Sequence, residues 1–380
     1  KGEYCMPSLT TFNANNFFLR YKFTRSYPGS KSKGDLTEAA EAGLTGFLPG
    51  VSFGGYSEKQ YIVWDGQRRQ LAAWALKEPD GVFPDILCLQ EVENIQAVRV
   101  FNKRYLNNYY QHCLLIDGYD PRNIDVGLLS RFPIKGIRTH IDDVYKEGEQ
   151  KGKRIFSRDC LEAEIELPDG AVLTLFINHL KSKLVMRAKG DTDEAYNNKV
   201  KDSHERRRDQ AEAVCNYIKE RFEGRHDQAL YAVVGDFNDT AMSPWVAPLT
   251  RSSYLTDLLA AYRLVNDRWT HYWRDNGYVS QIDFVLASKA LRERVDSVVQ
   301  KSSRIPHIER QGLSYKKLNA AGETLPKEAT LVHFEHDRVT PTPSGVRENE
   351  KVNFGHPRYP EVMADWKANI SDHCPVKVWF

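Results

Sequence analysis

Hydrophobic positions along the chain follow two rhythms. Short apolar stretches rich in β-branched and aromatic residues, bounded by Gly, Pro, Asn or Asp, predict strands at Ser8–Asn13, Ile86–Gln90, Gln111–Ile116, Val126–Ser130, Leu161–Leu167, Val172–Asn178, Leu230–Gly235, Ile282–Ala287 and Val376–Phe380. Helical spacing runs instead through Gln60–Lys77, Ile95–Leu106, His204–Arg221 and Leu255–Tyr262. In the third of these, Ala211, Val214, Ile218 and Phe222 share one stripe. The tight turn Pro168-Asp169-Gly170 joins Leu161–Leu167 to Val172–Asn178, so that pair must be antiparallel. Strand pairs alternating with single helices predict an α/β fold, two mixed sheets packed face to face with helices outside. A strictly parallel doubly wound sheet fits less well.

Three stretches break both rhythms and read as surface insertions: 20–57, rich in Gly, Ser and Lys; 183–203, polar and charged; and 301–369, with several prolines and little periodicity. Loops of that length in a compact domain are usually functional or mobile. There is no internal repeat, and the remainder reads as a single domain over 1–380. At 380 residues, 41% hydrophobic and 27% charged, the chain easily buries a core. No apolar run approaches the roughly 20 residues of a membrane span.

Charge narrows the chemistry only a little. The net charge is +2 and the pI near 8.1, less basic than a protein that holds nucleic acid by charge alone. A polyanion would have to be gripped by local clusters, and Lys151–Arg154, Lys181–Lys183 and Arg206–Arg208 are such clusters, each with a solvated face as its plainer reading. Six cysteines without a CxxC pair argue against a zinc site or a disulfide framework. Cys88 and Cys374 read as buried free thiols, which leans towards a reducing, cytoplasmic setting and leaves localisation open. The chain begins at Lys1 without a signal sequence, which is compatible with a processed or trimmed product, secreted or periplasmic, and equally with a natural start at Met6.

The informative polar residues stand at strand ends, where a rigid sheet holds a side chain at the rim of a cleft. Asn13 and Asn15 lie on one side of an extended chain. Ile86–Leu89 runs straight into Gln90-Glu91, and a carboxylate leaving a buried strand needs a partner such as a hard cation. His179 follows Phe176-Ile177-Asn178, with Lys181 and Lys183 after it. Asp236 and Asn238 share a side, and Gly235 ahead of them permits close backbone approach. Asp283 sits within an apolar strand, and Asp372-His373 precedes the last one. A lone Asp or His of this kind is more often a turn, cap or core residue. So many in one chain, each on a strand end, are hard to assemble by accident.

In their order, Phe12-Asn13, Gln90-Glu91, Asn178-His179-Leu180, Gly235-Asp236-Phe237-Asn238, Ile282-Asp283 and Ser371-Asp372-His373 resemble the endonuclease/exonuclease/phosphatase superfamily of DNase I-like enzymes, closest to its bacterial nuclease-type members. The segment Leu115–Ser130 adds to the likeness, although such members often have Gly where Asn123 stands. The resemblance implies a four-layer α/β sandwich with the active site at one edge of the paired sheets. It implies a divalent cation, Mg²⁺ first with Mn²⁺ or Ca²⁺ as alternatives, on Glu91 with Asn13 and Asp372 close by. Asp236 would orient or deprotonate the attacking water, and Asn238 would hold a phosphate oxygen. His179 and His373 would donate to the scissile phosphate, with Asp283 holding His373 protonated. Arg122, Arg158, Lys181 and Lys183 would be the outer phosphate-binding cations. These assignments suit the reaction, because phosphodiester cleavage adds negative charge to an anionic group and calls for converging cations and donors.

The reading favoured by the basic clusters is a nuclease acting on DNA, or on RNA, with nucleic acid as partner. A phosphoesterase for small or lipid phosphates, of the inositol phosphatase or sphingomyelinase kind, is the alternative that the near-neutral charge favours. No apolar insertion suited to entering a membrane is evident, and no protein partner is implied. A binding module without activity fits poorly beside so complete a set.

Overall fold

Alternation along the strands builds the layers. In Val172–His179, Leu173, Leu175 and Ile177 enter the central core, while Phe176 points the other way, into a second core with Ala211, Val214 and Ile218. In Ile86–Val92, Ile86 and Cys88 enter that same central core, while Leu87 and Leu89 pack outward against Ala97, Val98 and Phe101. A sheet that is apolar on both faces must be covered on both, and the result is helix, sheet, sheet, helix. The computed structural model describes residues 6–26, 33–37, 60–62, 66–78, 81–148, 150–273, 278–309, 314–318, 332–335, 338–340, 351–355 and 371–380.

Each of the two central sheets has six strands. In chain order we label these strands β1 (Ser8–Phe17), β2 (Ile86–Val92), β3 (His112–Leu115), β4 (Asp125–Ser130), β5 (Ile134–Arg138), β6 (Leu161–Glu166), β7 (Val172–His179), β8 (Leu230–Asp236), β9 (Thr256–Asp257), β10 (Asp283–Ala287), β11 (His307–Ile308) and β12 (Val376–Trp379). The first sheet runs β11-β12-β1-β2-β4-β3 and the second β9-β10-β8-β7-β6-β5. Both are mixed: β1/β2 and β7/β8 are parallel, and the other neighbours antiparallel. The β6/β7 hairpin turns at Gly170, whose φ of 83° is open to glycine at no cost. Gly235 is tighter still: at φ 126°, a Cβ there would lie 1.9 Å from the Asn178 carbonyl oxygen.

All nine expected strands are present, with ends shifted by a few residues. The helices α1 (Gly66–Leu76), α2 (Ile95–Tyr105) and α3 (Asp193–Arg221) cover the outer faces. Three readings need correction. Gln60–Ile62 is not the start of α1 but a short strand paired with Tyr21–Phe23. The stretch 183–203 is only partly an insertion, because α3 begins at Asp193. Thr192 caps it by accepting from the Ala195 N–H, and Asp193 and Glu194 suit its positive end. Thr256–Asp257 is an edge strand, and the helix after it starts at Leu258 under the Asp257 cap.

The helix Lys289–Ser302 was not anticipated; its buried Leu291, Val295 and Val298 follow helical spacing behind the Ser288 cap. It and β11 take up the first part of 301–369. Most of that stretch, and of 20–57, lies outside the described residues. Cys88 and Cys374 are buried free thiols, as read from their apolar runs. Asn123 adopts φ 54°, so the turn that often carries Gly is kept by an asparagine, which tolerates the left-handed region.

Candidate active site

Strand register carries the ionisable groups to one edge. His179 pairs with Asp236 across the parallel β7/β8 ladder, and Asp236 pairs with Asp283 across the antiparallel β8/β10 ladder. The first sheet brings Asn13 and Glu91 to the same edge from β1 and β2, and the approach to β12 brings Ser371–His373. Asn13 joins the sheets, its Nδ2 donating to Asp236 Oδ2 at 2.9 Å.

Asp236 Oδ2 stands between two imidazoles, 3.4 Å from His179 Nε2 and 3.8 Å from His373 Nε2. Glu91 Oε1 lies 4.0 Å from that same His179 nitrogen. Glu91, His179, Asp236, Asp283 and His373 therefore meet at one end of the paired sheets, and His179, Asp236, Asp283 and His373 are almost wholly buried.

The two histidines differ in charge. His373 Nδ1 donates to Asp283 at 2.9 Å, and Asp283 Oδ2 also accepts from Thr270 Oγ1 at 2.7 Å. Burial opposes charging His373, but Asp283 and Asp236 prevail and push its pKa up to about 10. His179 goes the other way: burial, then the Arg158, Arg122 and His373 cations, hold it well below the usual imidazole range. Its Nδ1 is buried with no hydrogen-bond partner among the described residues, which favours the tautomer with the proton on Nε2, facing Asp236. Burial also pushes the Asp236 carboxyl up, and Asp283 adds to this against the His373 cation.

Backbone strain aims two of these groups. Glu91 adopts φ 60°, a conformation that costs a non-glycine residue on the order of 1–3 kcal/mol and tends to persist at functional sites. The registers of β1/β2 and β2/β4 both shift around it. The Asn16 N–H fixes Glu91 Oε2 at 2.9 Å. Asn238, at φ 55°, donates its backbone N–H to Asp236 Oδ1 at 2.7 Å and its amide to Asp236 Oδ2 and the Leu180 carbonyl. The amide expected to hold a phosphate oxygen thus serves Asp236.

The outer cations divide. Asp120 holds two of them, accepting from Arg158 Nε at 2.9 Å and from the Arg122 backbone N–H at 2.9 Å. The half-exposed Arg122 guanidinium reaches to 3.5 Å from Glu91 Oε1. Lys183 turns away to Asp239 Oδ1 at 2.8 Å. Lys181 is half-buried. Asp372 accepts from Asn15 Nδ2 at 2.8 Å and lies 3.8 Å from His271 Nε2.

A family model described as the Endonuclease/Exonuclease/phosphatase family matches residues 63–373. The chain belongs to that family. Its enzymes hydrolyse phosphoester bonds, and this chain is accordingly a phosphoric ester hydrolase. Similar solved structures include beta toxin from Staphylococcus aureus (12% identity, 98% of this chain and 99% of that one, TM-score 0.46). A mannosyl-6-phosphatase of Bacteroides thetaiotaomicron (15%, 98% and 99%, 0.46) is another. A third is D. rerio TDP2 complexed with a single-strand DNA product (15%, 98% and 98%, 0.42). No curated protein matches the chain. A variant of the S. aureus toxin carries bound magnesium ions.

Whether this family member suits such an ion depends on its donors. Glu91 fits: one carboxylate oxygen is fixed by Asn16, and the other accepts no hydrogen bond among the described residues and faces His179 and Arg122. Mg²⁺ commonly takes one or two carboxylates and completes its shell with water and substrate oxygens. The compact group Asp236, Asp283 and His373 fits poorly, because an imidazolium already bonded to Asp283 has no lone pair to offer. Thr270 and the Asn16 N–H support the centre without any signal in the sequence, being ordinary residues until the fold brings them in.

Proposed function

We propose that the chain is a divalent-metal-dependent phosphodiesterase acting on nucleic acid, with DNA as the first candidate substrate. The observation that carries this reading is the meeting of Glu91, His179, Asp236, Asp283 and His373 at the end of both sheets.

In this reading Asp236, held by Asn13 and Asn238, orients the attacking water and takes its proton. His179 donates from Nε2 to a non-bridging oxygen of the scissile phosphate. His373, kept as an imidazolium by Asp283, protonates the leaving oxygen. Arg122 and Arg158 face the charge that develops on the phosphate, Arg122 from the open side. A cation held by Glu91 supplies a Lewis acid and a template when bound. Asp372, between Asn15 and His271, orients this corner of the site. The same reading treats the whole chain as one domain, since the central core draws on both sheets. The half-exposed Arg122 on the rim favours a long anionic substrate over an enclosed one.

The test is turnover with Mg²⁺ or Mn²⁺ against plasmid DNA, RNA, bis(p-nitrophenyl) phosphate, an inositol bisphosphate and sphingomyelin vesicles. Cleavage of DNA that stops in EDTA and falls about 10²–10⁴-fold in His179→Ala is the expected result. Turnover of the inositol phosphate or the lipid alone would overturn the nuclease reading.

A further inference from the structure

Hydrogen bonds through α3 bring together the three basic clusters that lie far apart in the sequence. The Lys181 backbone is fastened to α3 twice: its N–H donates to Gln210 Oε1 at 2.8 Å and its carbonyl accepts from Arg207 at 2.7 Å. Gln210 in turn donates to the Ile155 carbonyl at 3.0 Å, and Arg206 donates to the Ile155 and Arg154 carbonyls at 3.3 and 3.4 Å. Arg154 lies over the exposed Tyr119 ring at 3.8 Å.

The carboxylates beside these clusters are already engaged. Asp120 holds Arg158, Asp142 holds Arg154 and Tyr119, and Asp239 holds Lys183 and Arg207. Among the described residues Lys181 and Arg206 form no ion pair with a carboxylate, and both are partly exposed. Burial, then the Arg158 and Arg206 cations, lower the Lys181 pKa, the response of an ammonium among like charges. Asp120, already bonded to Arg158, offsets this only in part, and cations so incompletely balanced, two residues beyond His179, call for an anion.

We propose that Lys181 and Arg206 form a second phosphate subsite, which takes the phosphate next to the scissile one. The inference rests on the phosphodiesterase reading above. Lys181 follows His179 by two residues, a reach of at most about 7 Å, compatible with two successive phosphates of one strand. The substrate class is therefore one with at least two phosphates, and the shared chemistry extends to a small bisphosphate.

The experiment compares wild type, Arg206→Gln and Arg206→Lys on bis(p-nitrophenyl) phosphate, which has one phosphate, a short single-stranded DNA, and an inositol bisphosphate. In Arg206→Gln the preference for the oligonucleotide over the one-phosphate diester should fall roughly tenfold, mainly through KM, and Arg206→Lys should recover most of it. The slope of log kcat/KM against log salt for the oligonucleotide should shrink by about 0.7, one phosphate contact on a single strand. A loss confined to DNA identifies the second phosphate as that of a strand, and a loss shared by the bisphosphate identifies a general two-phosphate site. An equal loss on all three substrates, or on none, overturns the subsite. Pyrophosphate binding, measured by calorimetry without turnover, separates this failure from failure of the parent reading. Weaker binding in Arg206→Gln upholds the subsite even if wild type cleaves no diester, and unchanged binding refutes it.

Discussion

His373 is an acid because of Asp283, whose carboxylate is held by the Thr270 hydroxyl, itself fixed by the Asp283 backbone N–H. Removing the charge by Asp283→Asn should drop the His373 pKa from about 10 towards the ordinary imidazole value. Imidazole NMR in metal-free protein reads this directly, and a His373 that titrates unchanged would refute the pairing. At this scale the sequence was legible wherever a polar side chain contradicted its surroundings. Glu91, Asp236 and Asp283 sit in or beside runs that should be wholly apolar, and that conflict marked them. Thr270 and Asn16 contradict nothing locally, so their contribution emerges only from packing. The ion pair of Lys183 was hidden for the same reason, since a charge run does not reveal which carboxylate the fold will supply. Asp239 is that carboxylate, buried and shared by Lys183, Arg207 and the Ser243 hydroxyl. Asp239→Ala should cost about 3–5 kcal/mol in urea unfolding, because it removes the buried carboxylate that pairs with the wholly buried Arg207.

At the scale of elements, β7 and β8 are held in register by a contact that no side chain permits. Gly235→Ala would push a methyl into the Asn178 carbonyl and force a left-handed φ on an L residue. The expected result is a loss of at least the 1–3 kcal/mol of a strained φ, with His179 and Asp236 displaced and activity lost with them. The loop leading from β5 to β6 is tied by His140, whose ring lies 2.9 Å from Asp143, 3.3 Å from Glu162, and stacked on Tyr217. Burial opposes the charge on His140, but Glu162 and Asp143 outweigh it and raise its pKa. A raised folded-state pKa means this stabilisation is complete below the unfolded value and disappears as pH climbs through the folded one. Wild type should therefore lose stability relative to His140→Asn as pH rises above about 6.5, measured by urea midpoints across pH, and a constant difference would refute the tie. Strands were legible because their apolar runs are short and bounded. The first turns of α3 were not, since in 193–203 only Ala195, Tyr196 and Val200 interrupt a polar and charged run, too few to stand out as a stripe.

For the whole molecule, the order of six motifs along the chain implied the layered sandwich, and the two sheets with helices outside have that architecture. Net charge said little, because the cations that matter are gathered by folding and not by composition. Among the described residues no helix is long and apolar enough to cross a membrane. Chelation should abolish turnover, and Glu91→Gln should weaken Mg²⁺ binding seen by calorimetry while leaving the fold intact. Unchanged affinity would move the cation elsewhere. The central claim is that distant residues act as one centre on one phosphate, and a double-mutant cycle on turnover of a simple diester tests it most directly. If His179 and Asp236 serve the same transition state, His179→Ala, Asp236→Asn and the double variant should all fall to a similar residual rate. Losses that multiply independently, or a double variant that keeps most of its activity, would contradict the account.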